Sequence, residues 1–191
     1  MKLMEIYKIN ESVNPKDALA LIKKDCHQYI SQINNLDGNR LRRGMKFNKD
    51  FKKMNAVGNG RNEEQTDIEW EKYADQWFSE RVGFQARSQT AYCAGGVPMA
   101  KRYGLPYSVF PIGNFKFVWS PVVEDLFYPF KRSGGDLNSV KKALETGKYT
   151  TSNLQAAVDS QKHEIMVYCP QGYYAVRDDL FSDWLWHYSS F

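Results

Sequence analysis

The spacing of apolar residues predicts a helix near the start of the chain. Between residues 19 and 33, apolar side chains recur every three or four positions, which is the period of one helix face. Asn14 and Pro15 precede this run as a capping side chain and a first-turn proline, and Gly38 ends it. Ahead of the helix, residues 5–8 are predicted to form a short strand.

A second, strongly aromatic helix is predicted to begin after Thr66. Thr66 and Glu69 have the spacing of a capping box, apolar residues from Trp70 onward line one face, and Gly83 closes the run. Upstream, residues 41–45 are short enough for a strand. The polar residues 46–65, rich in Asn, Lys and Gly, predict a loop that would tolerate insertion.

From residue 84 onward, the pattern becomes that of strands. The expected strands are an extended segment at 84–92, a pair at 107–112 and 115–119, and a closing hairpin at 165–169 and 173–176. Short helices are expected at 98–103 and 140–145, and a capping-box spacing at Ser152 opens another that runs to about residue 160. The aromatic residues of 180–191 predict a tail that docks on the body.

This order of elements predicts an α+β fold rather than the repeating βαβ units of a parallel sheet. A Rossmann domain is disfavoured because the only G-x-G, at 58–60, lies in a polar stretch and opens no helix. The length of 191 residues, with 42% hydrophobic and 25% charged, suits one domain spanning 1–191. We expect a core at about 15–177, with the tail 178–191 packed on it.

The formal net charge is +4, and many of the cationic side chains fall between residues 40 and 61. Such a run forms either a solvated face or a surface that attracts the phosphates of a dinucleotide or a nucleic acid.

The numbers and spacing of cysteine and histidine disfavour disulfide-rich and metal-binding proteins. The three cysteines are odd in number and far apart, which disfavours a disulfide framework and suits a reducing cytoplasm. No C-x-x-C or H-x-x-x-H pair supports a metal site. The first residues lack the apolar run of a signal peptide, and no stretch has the length of a membrane span. We therefore expect a cytoplasmic location and no membrane partner.

Three segments, in this order, resemble the ADP-ribosyltransferases of the Arg-Ser-Glu type. Leu41-Arg42-Arg43-Gly44 is similar to the family's aromatic-Arg-Gly strand, and Arg87-Ser88-Gln89-Thr90 to its Ser-Thr-Ser strand. Residues 161–167, with Glu164, resemble the Glu-x-Glu loop followed by an apolar strand, and residues 170–176 resemble the closing hairpin. The resemblance implies a split, mostly antiparallel β core with flanking helices and with NAD, as substrate, in the cleft.

The resemblance also implies roles for individual residues. Arg43 would hold an NAD phosphate or ribose, Gly44 would let the backbone approach the nicotinamide amide, and Ser88 would bind the ribose and position the catalytic Glu164. Thr90 and Tyr92 complete the expected NAD-binding set, with Tyr92 as the candidate for stacking on nicotinamide. Arg42 is a rival of Arg43 for the phosphate.

Two further residues are expected to face the acceptor of ADP-ribose, namely Lys162 and His163. Lys162 stands two positions before Glu164, where arginine-modifying members of the family carry a second glutamate. Because its charge is of the opposite sign, we expect protein arginine not to be the preferred acceptor. A macromolecular acceptor, protein or nucleic acid, is implied, and small members of the family act as phage effectors or toxins.

The chemistry explains why these residue types are required. Cleavage of the nicotinamide–ribose bond builds positive charge on the sugar, which a fixed carboxylate stabilises. The planar fork of arginine matches a pyrophosphate. Three alternatives remain open: a non-catalytic module that binds nucleic acid or protein, an NAD glycohydrolase with water as the acceptor, and a hydrolase using Cys93 or Cys169 with His163.

Overall fold

The computed structural model describes residues 13–56 and 68–188. The helices are α1 (Pro15–Asp25), α2 (His27–Ile30), α3 (Ile68–Val82), α4 (Val97–Lys101), α5 (Phe127–Arg132), α6 (Leu137–Thr146), α7 (Leu154–Asp159) and α8 (Asp178–Tyr188). The strands are β1 (Arg42–Met45), β2 (Phe51–Met54), β3 (Ala91–Cys93), β4 (Leu105–Pro111), β5 (Lys116–Trp119), β6 (Ile165–Tyr168) and β7 (Tyr173–Arg177). The strand expected at 5–8, the G-x-G at 58–60 and the cap at Thr66 lie outside the described residues.

The strands form two antiparallel sheets, so the expected α+β class is confirmed. One sheet has the order β1-β4-β7-β2 and the other the order β3-β6-β5. The sheets meet where β1 approaches β3, through a single antiparallel bridge between Arg42 and Ala94. In chain order, β1, β2, β4 and β7 belong to the first sheet and β3, β5 and β6 to the second. The predicted pair at 107–112 and 115–119 and the predicted hairpin at 165–169 and 173–176 are therefore wrong as pairings, because the members of each are divided between the two sheets.

Two apolar cores lie on the two faces of the three-stranded sheet, and the four-stranded sheet shares the larger one. The larger core packs the four-stranded sheet and the inner face of β3, β5 and β6 against α1, α7 and α8, with Ile22, Phe110 and Phe181 buried among its members. The smaller core lies on the opposite face of β5 and β6, under α3, α5 and α6, and centres on Trp70 and Phe78. The strong aromatic content of the chain is therefore mainly core packing.

Residues 46–65 are not all loop, because they contain β2. This strand pairs with β7 at the edge of the sheet, and the Phe51 ring stacks on Tyr174 at 5.2 Å. Lys52 and Lys53 are both exposed, and lysine is a common residue on edge strands, where it discourages pairing with another chain. The polar composition that indicated a loop is therefore that of an edge strand.

Two other expectations differ from the structure for local reasons. Residues 84–92 are extended only at their end, in β3, because the Asp75 carboxylate accepts the N–H groups of Arg87 and Ser88 and holds this stretch in turns. The cap of α7 is Asn153, in a left-handed conformation with φ 59°, rather than Ser152. Its side-chain oxygen accepts the N–H of Ala156 at 3.1 Å.

The C-terminal tail forms α8, which packs against α1, β4 and β7. Phe181 and Trp184 are its buried anchors, and Asp178 at its start reaches two arginines of the β1 region. The first helix follows its expected start, since Asn14 caps it through Lys16 N–H at 3.0 Å. It breaks at Cys26, after which α2 continues for four residues.

Candidate active site

The junction of the two sheets is a split between β1 and β3. Beyond the Arg42–Ala94 bridge, no further pair between these strands is found within residues 13–56 and 68–188. Continuing the register of the bridge puts Tyr92 across the gap from Gly44. Arg43, Gly44 and Tyr92 are all half-buried, and so is Glu164, which immediately precedes β6 beside β3. The first motif therefore borders the gap, the strand that follows the second motif forms its other side, and Glu164 of the third motif lies directly before the strand neighbour of β3.

The backbone of Gly44 points into this gap. Arg42 exchanges both backbone hydrogen bonds with Ala94, at 2.8 and 2.9 Å. Because backbone groups alternate between the two edges of a strand, those of Gly44 point the same way. On the other edge, Gly44 lies opposite Pro106 in a non-hydrogen-bonded pair, so its backbone groups are not used by β4. Among the described residues, no backbone hydrogen bond of Gly44 crosses the gap, so one donor and one acceptor are directed there.

The missing side chain of Gly44 has a separate cause. A Cβ at this position would lie 2.0 Å from the Ala100 carbonyl oxygen and 2.9 Å from the backbone of Tyr103. Glycine is therefore required by the packing of α4 on β1, and this packing brings Tyr103 to the rim of the split.

Glu164 is held by Arg87. Arg87 Nη1 donates to both carboxylate oxygens of Glu164, at 3.0 and 3.2 Å. The side chain of Arg87 is only 5% exposed and that of Glu164 14% exposed. The backbone N–H of Glu164 donates to the Glu124 carbonyl at 2.7 Å, which anchors the residue at its other end. Arg87 belongs to the second motif, but the sequence resemblance implies no role for it.

Ser88 does not reach Glu164 in this structure. Its hydroxyl donates to Gln85 at 3.2 Å, and its side chain is exposed beside α3. It lines an open depression of about 480 Å³ together with Asp75. The turn that Asp75 imposes sends the Arg87 side chain inward and that of Ser88 outward. Thr90 is also turned away from the site, because it is buried and donates to the Ala86 carbonyl.

The structure distinguishes Arg42 from Arg43. Arg42 is buried, and its Nε donates to both oxygens of Asp178 at 3.0 and 3.1 Å. Its other nitrogens donate to the carbonyls of Gly38 and Gly95, so its donors are used within the protein. Arg43 is half-buried, and its Nη1 lies 3.4 Å from the Tyr173 hydroxyl. Of the two, Arg43 is the arginine that a ligand in the split can reach.

The basic run 40–61 separates into two groups. Arg40 is 1% exposed and donates to Ser108 and Asp178, at 2.6 and 3.0 Å, so it joins Arg42 in a buried network. The lysines at 46, 49, 52 and 53 are exposed, while Arg61 lies outside the described residues. The exposed part of the run, whether a solvated face or a surface for phosphates, is therefore smaller than the sequence indicates.

Tyr92 and Tyr103 both place an aromatic ring at the split, but the two rings differ in how far they are engaged by other residues. Tyr92 donates its hydroxyl to the Arg87 carbonyl, and one ring face carries the Arg87 guanidinium at 4.7 Å. Tyr103 is 58% exposed. Burial, followed by the negative charges of Asp125 and Glu164, raises the pKa of Tyr103 to about 12. Tyr103 therefore lies within electrostatic range of Glu164 and has an accessible ring.

Lys162 and His163, the two residues expected to face an acceptor, differ in their exposure to solvent. Lys162 is exposed and pairs with Glu124, and this hydrogen bond lowers the pKa of the Glu124 carboxyl. His163 is 7% exposed, its Nδ1 is bonded to the Ser120 carbonyl and its ring meets the edge of Trp119 at 6.1 Å. The expectation for His163 is therefore wrong, because its ring is part of the core.

The cysteine–histidine hydrolase is not supported. Burial raises the pKa of Cys93 and Cys169 to about 12, only partly opposed by the charge of Arg43. His163 bonds to Ser120 rather than to either thiol. Within the described residues, no group of three His, Cys, Asp or Glu side chains is arranged for a metal ion.

A second depression, of about 770 Å³, lies between α2 and α8. It is lined by Ile30, Leu185 and the strongly exposed Trp186, among others, and includes no residue of the three motifs. No helix of the described chain is long and apolar enough to cross a membrane. Comparison with protein-family models, curated proteins and solved structures found no match.

Proposed function

We propose that the protein is an NAD-dependent mono-ADP-ribosyltransferase that transfers ADP-ribose to a macromolecule, with Glu164 as its catalytic carboxylate. One observation carries the proposal: the gap between β1 and β3 has the Gly44 backbone directed into it, Arg43 beside it, and a fixed carboxylate at Glu164, immediately before β6, the strand that pairs with β3. These residues come from two of the three sequence segments that resemble the NAD-binding motifs of one family.

The residues at the split suit the different parts of NAD: Gly44 and Tyr103 suit its nicotinamide, and Arg43 suits its pyrophosphate. The nicotinamide carboxamide carries one donor group and one acceptor, which complement the N–H and C=O that Gly44 directs into the gap. Tyr103 offers the accessible ring for stacking in place of Tyr92, whose face and hydroxyl are engaged with Arg87. Arg43, one residue before Gly44 and half-buried, supplies charge-assisted hydrogen bonds for the pyrophosphate.

The reaction breaks the bond between the nicotinamide nitrogen and C1′ of the ribose, and the electron pair leaves with nicotinamide. Positive charge then develops on the ribose ring, and the Glu164 carboxylate opposes it without needing to reorganise. A nucleophile of the acceptor attacks C1′ and releases its proton. Loss of one such preorganised group costs about 3 kcal/mol or more in barrier.

The charges beside Glu164 bear on the acceptor. Lys162 is exposed and paired with Glu124, so the position two before Glu164 presents a cation rather than a carboxylate. A protein arginine would meet like charge there. We therefore propose an acceptor other than arginine, either another protein side chain or a nucleic-acid base.

Release of labelled nicotinamide from NAD tests the proposal. We expect release by the wild type and a loss of at least 100-fold in Glu164→Gln, by the magnitude above. Glu145→Gln is the matched control, because Glu145 is an exposed glutamate on α6. If wild-type protein neither releases nicotinamide nor gains thermal stability at millimolar NAD, the proposal is refuted in favour of a binding module.

Transfer to the acceptor is measured separately. Label from the adenylate part of NAD is followed into a cell lysate, which is then treated with protease or nuclease. Nicotinamide release without any macromolecular label would identify a glycohydrolase. Protein-linked label on arginine would refute the argument from Lys162.

A further inference from the structure

We propose that Arg87 is the positioning residue for Glu164, a role that the sequence resemblance assigned to Ser88. The inference rests on the proposed function, because it concerns how the catalytic carboxylate is held. Arg87 does not touch the ribose in this account; it acts through Glu164.

The contact between the two side chains fixes the carboxylate on both oxygens. A single nitrogen, Nη1, spans them at 3.0 and 3.2 Å. With this contact on one side and the backbone bond to Glu124 on the other, rotation of the Glu164 side chain loses charge-assisted hydrogen bonds. A serine hydroxyl donates only one hydrogen and restricts a carboxylate less.

The guanidinium is itself held between aromatic rings. Its central carbon lies 4.8 Å from the centre of the Trp70 ring and 4.7 Å from that of Tyr92. Such cation–π contacts favour the planar arginine over lysine. The ring contacts leave the guanidinium edge directed at Glu164.

The backbone of Arg87 is anchored as firmly as its side chain. Asp75 accepts its N–H at 2.6 Å, and the Tyr92 hydroxyl donates to its carbonyl. Asp75 also accepts the N–H of Ser88 at 3.1 Å. This turn keeps Arg87 inward and Ser88 outward, so exchange of the two roles would require refolding of the turn.

A cation beside the catalytic carboxylate needs compensation, and Glu71 provides it. Arg87 Nη2 lies 3.8 Å from Oε1 of Glu71, whose side chain is 17% exposed. Two carboxylates and one guanidinium leave the group with a net charge of −1. The group therefore keeps the sign that an electron-poor ribose requires.

The test is Arg87→Lys, which retains a positive charge and most of the aliphatic stem. We expect kcat for nicotinamide release to fall about 30- to 100-fold, because a misplaced carboxylate loses alignment with the ribose. We expect the KM for NAD to change less than about threefold, because Arg87 makes no contact with NAD. Arg81→Gln is the matched control: Arg81 also lies over a tryptophan, 4.1 Å from the Trp77 ring, but is exposed and paired with Glu80.

Repeating the Arg87→Lys substitution in the Glu164→Asp variant separates a positioning role from a general structural role. In Glu164→Asp, the shorter carboxylate is withdrawn from Nη1, so adding Arg87→Lys should lower kcat by less than about threefold. An equal loss in both backgrounds, or wild-type kcat in Arg87→Lys, overturns the proposal. A wild-type protein without NAD turnover refutes the proposed function as well, which distinguishes the two failures.

A variant that leaves Arg87 in place keeps the proposal falsifiable if Arg87→Lys does not fold. Glu71→Gln removes the compensating charge, and we expect kcat to fall about five- to tenfold with the KM for NAD little changed. Unchanged kcat in a folded Glu71→Gln protein contradicts the charge-balance argument. Circular dichroism of each variant establishes that it is folded.

Discussion

Arg42 and Arg43 are neighbours with the same side chain, but substituting each by glutamine should affect a different property of the protein. Arg42→Gln removes a buried cation from Asp178, whereas Arg43→Gln removes a half-buried cation from the split. We expect the first substitution to lower stability and the second to weaken NAD binding.

The expected loss of stability in Arg42→Gln follows from the buried groups that lose Arg42 as their partner. Removing one partner of a buried ion pair costs about 3–5 kcal/mol. Asp178 would keep Arg40 at 2.8 Å and Ser108 at 2.7 Å, which favours the lower end, about 3 kcal/mol. The carbonyls of Gly38 and Gly95 also lose a donor. At about 2–4 °C per kcal/mol for a chain of this size, the Tm should fall by about 6–12 °C.

For Arg43, the expected stability change is within about 1 kcal/mol. A charged hydrogen bond to a phosphate is worth about 1.5–3 kcal/mol, so the Kd for NAD should rise roughly 10- to 100-fold. Thermal unfolding followed by circular dichroism measures the first quantity, and calorimetric titration with NAD the second. An unchanged Tm in Arg42→Gln, or an unchanged Kd in Arg43→Gln, would refute this assignment of the two arginines.

Two further predictions concern alkaline pH and the rim of the split. Burial raises the pKa of Cys26, Cys93 and Cys169 to about 12, from an ordinary value of 9.0. These thiols ionise first in the unfolded chain, so the free energy of unfolding should fall as pH rises from about 9 towards 12, by up to about 1.4 kcal/mol per thiol and pH unit. Urea unfolding at pH 8 and 10.5 measures it, and equal stabilities would contradict it. Separately, Tyr103→Ala should raise the KM for NAD about tenfold while Tyr103→Phe stays near wild type, because stacking needs the ring alone; equal effects of both would assign the role to the hydroxyl.

Much of the architecture was predictable because it depends on local signals. Asn14 and Pro15 start the first helix as expected, and the apolar runs that form β4 to β7 were identified as strands from their composition and turns. The α+β class follows from the order of these elements. By contrast, β2 is visible only through its pairing with β7, because Lys52 and Lys53 leave an edge strand with a polar sequence.

The pairing of strands across the split was not predictable from spacing. Residues 42 and 94 bridge, while 43–45 and 91–93 diverge, and nothing in either short segment distinguishes the paired position from the open ones. The glycine beside the gap is required instead by α4, whose Ala100 carbonyl oxygen would lie 2.0 Å from a Cβ on Gly44. The sequence marks the glycine, but only the packing identifies the backbone that requires it.

The limit of motif reasoning is clearest at Glu164, which is contacted by Arg87 and not by its neighbour Ser88. A strand assigned to residues 84–92 would send alternate side chains to opposite faces, so it leaves the choice between neighbouring residues to the register. That register depends on Asp75, twelve residues earlier, whose carboxylate turns the backbone at Arg87 and Ser88. Asp75 is 8% exposed and lies on a helix that the sequence analysis treated only as a source of apolar packing. A motif therefore locates the segment that reaches a site, while the residue that enters it is selected by a hydrogen bond from outside the motif.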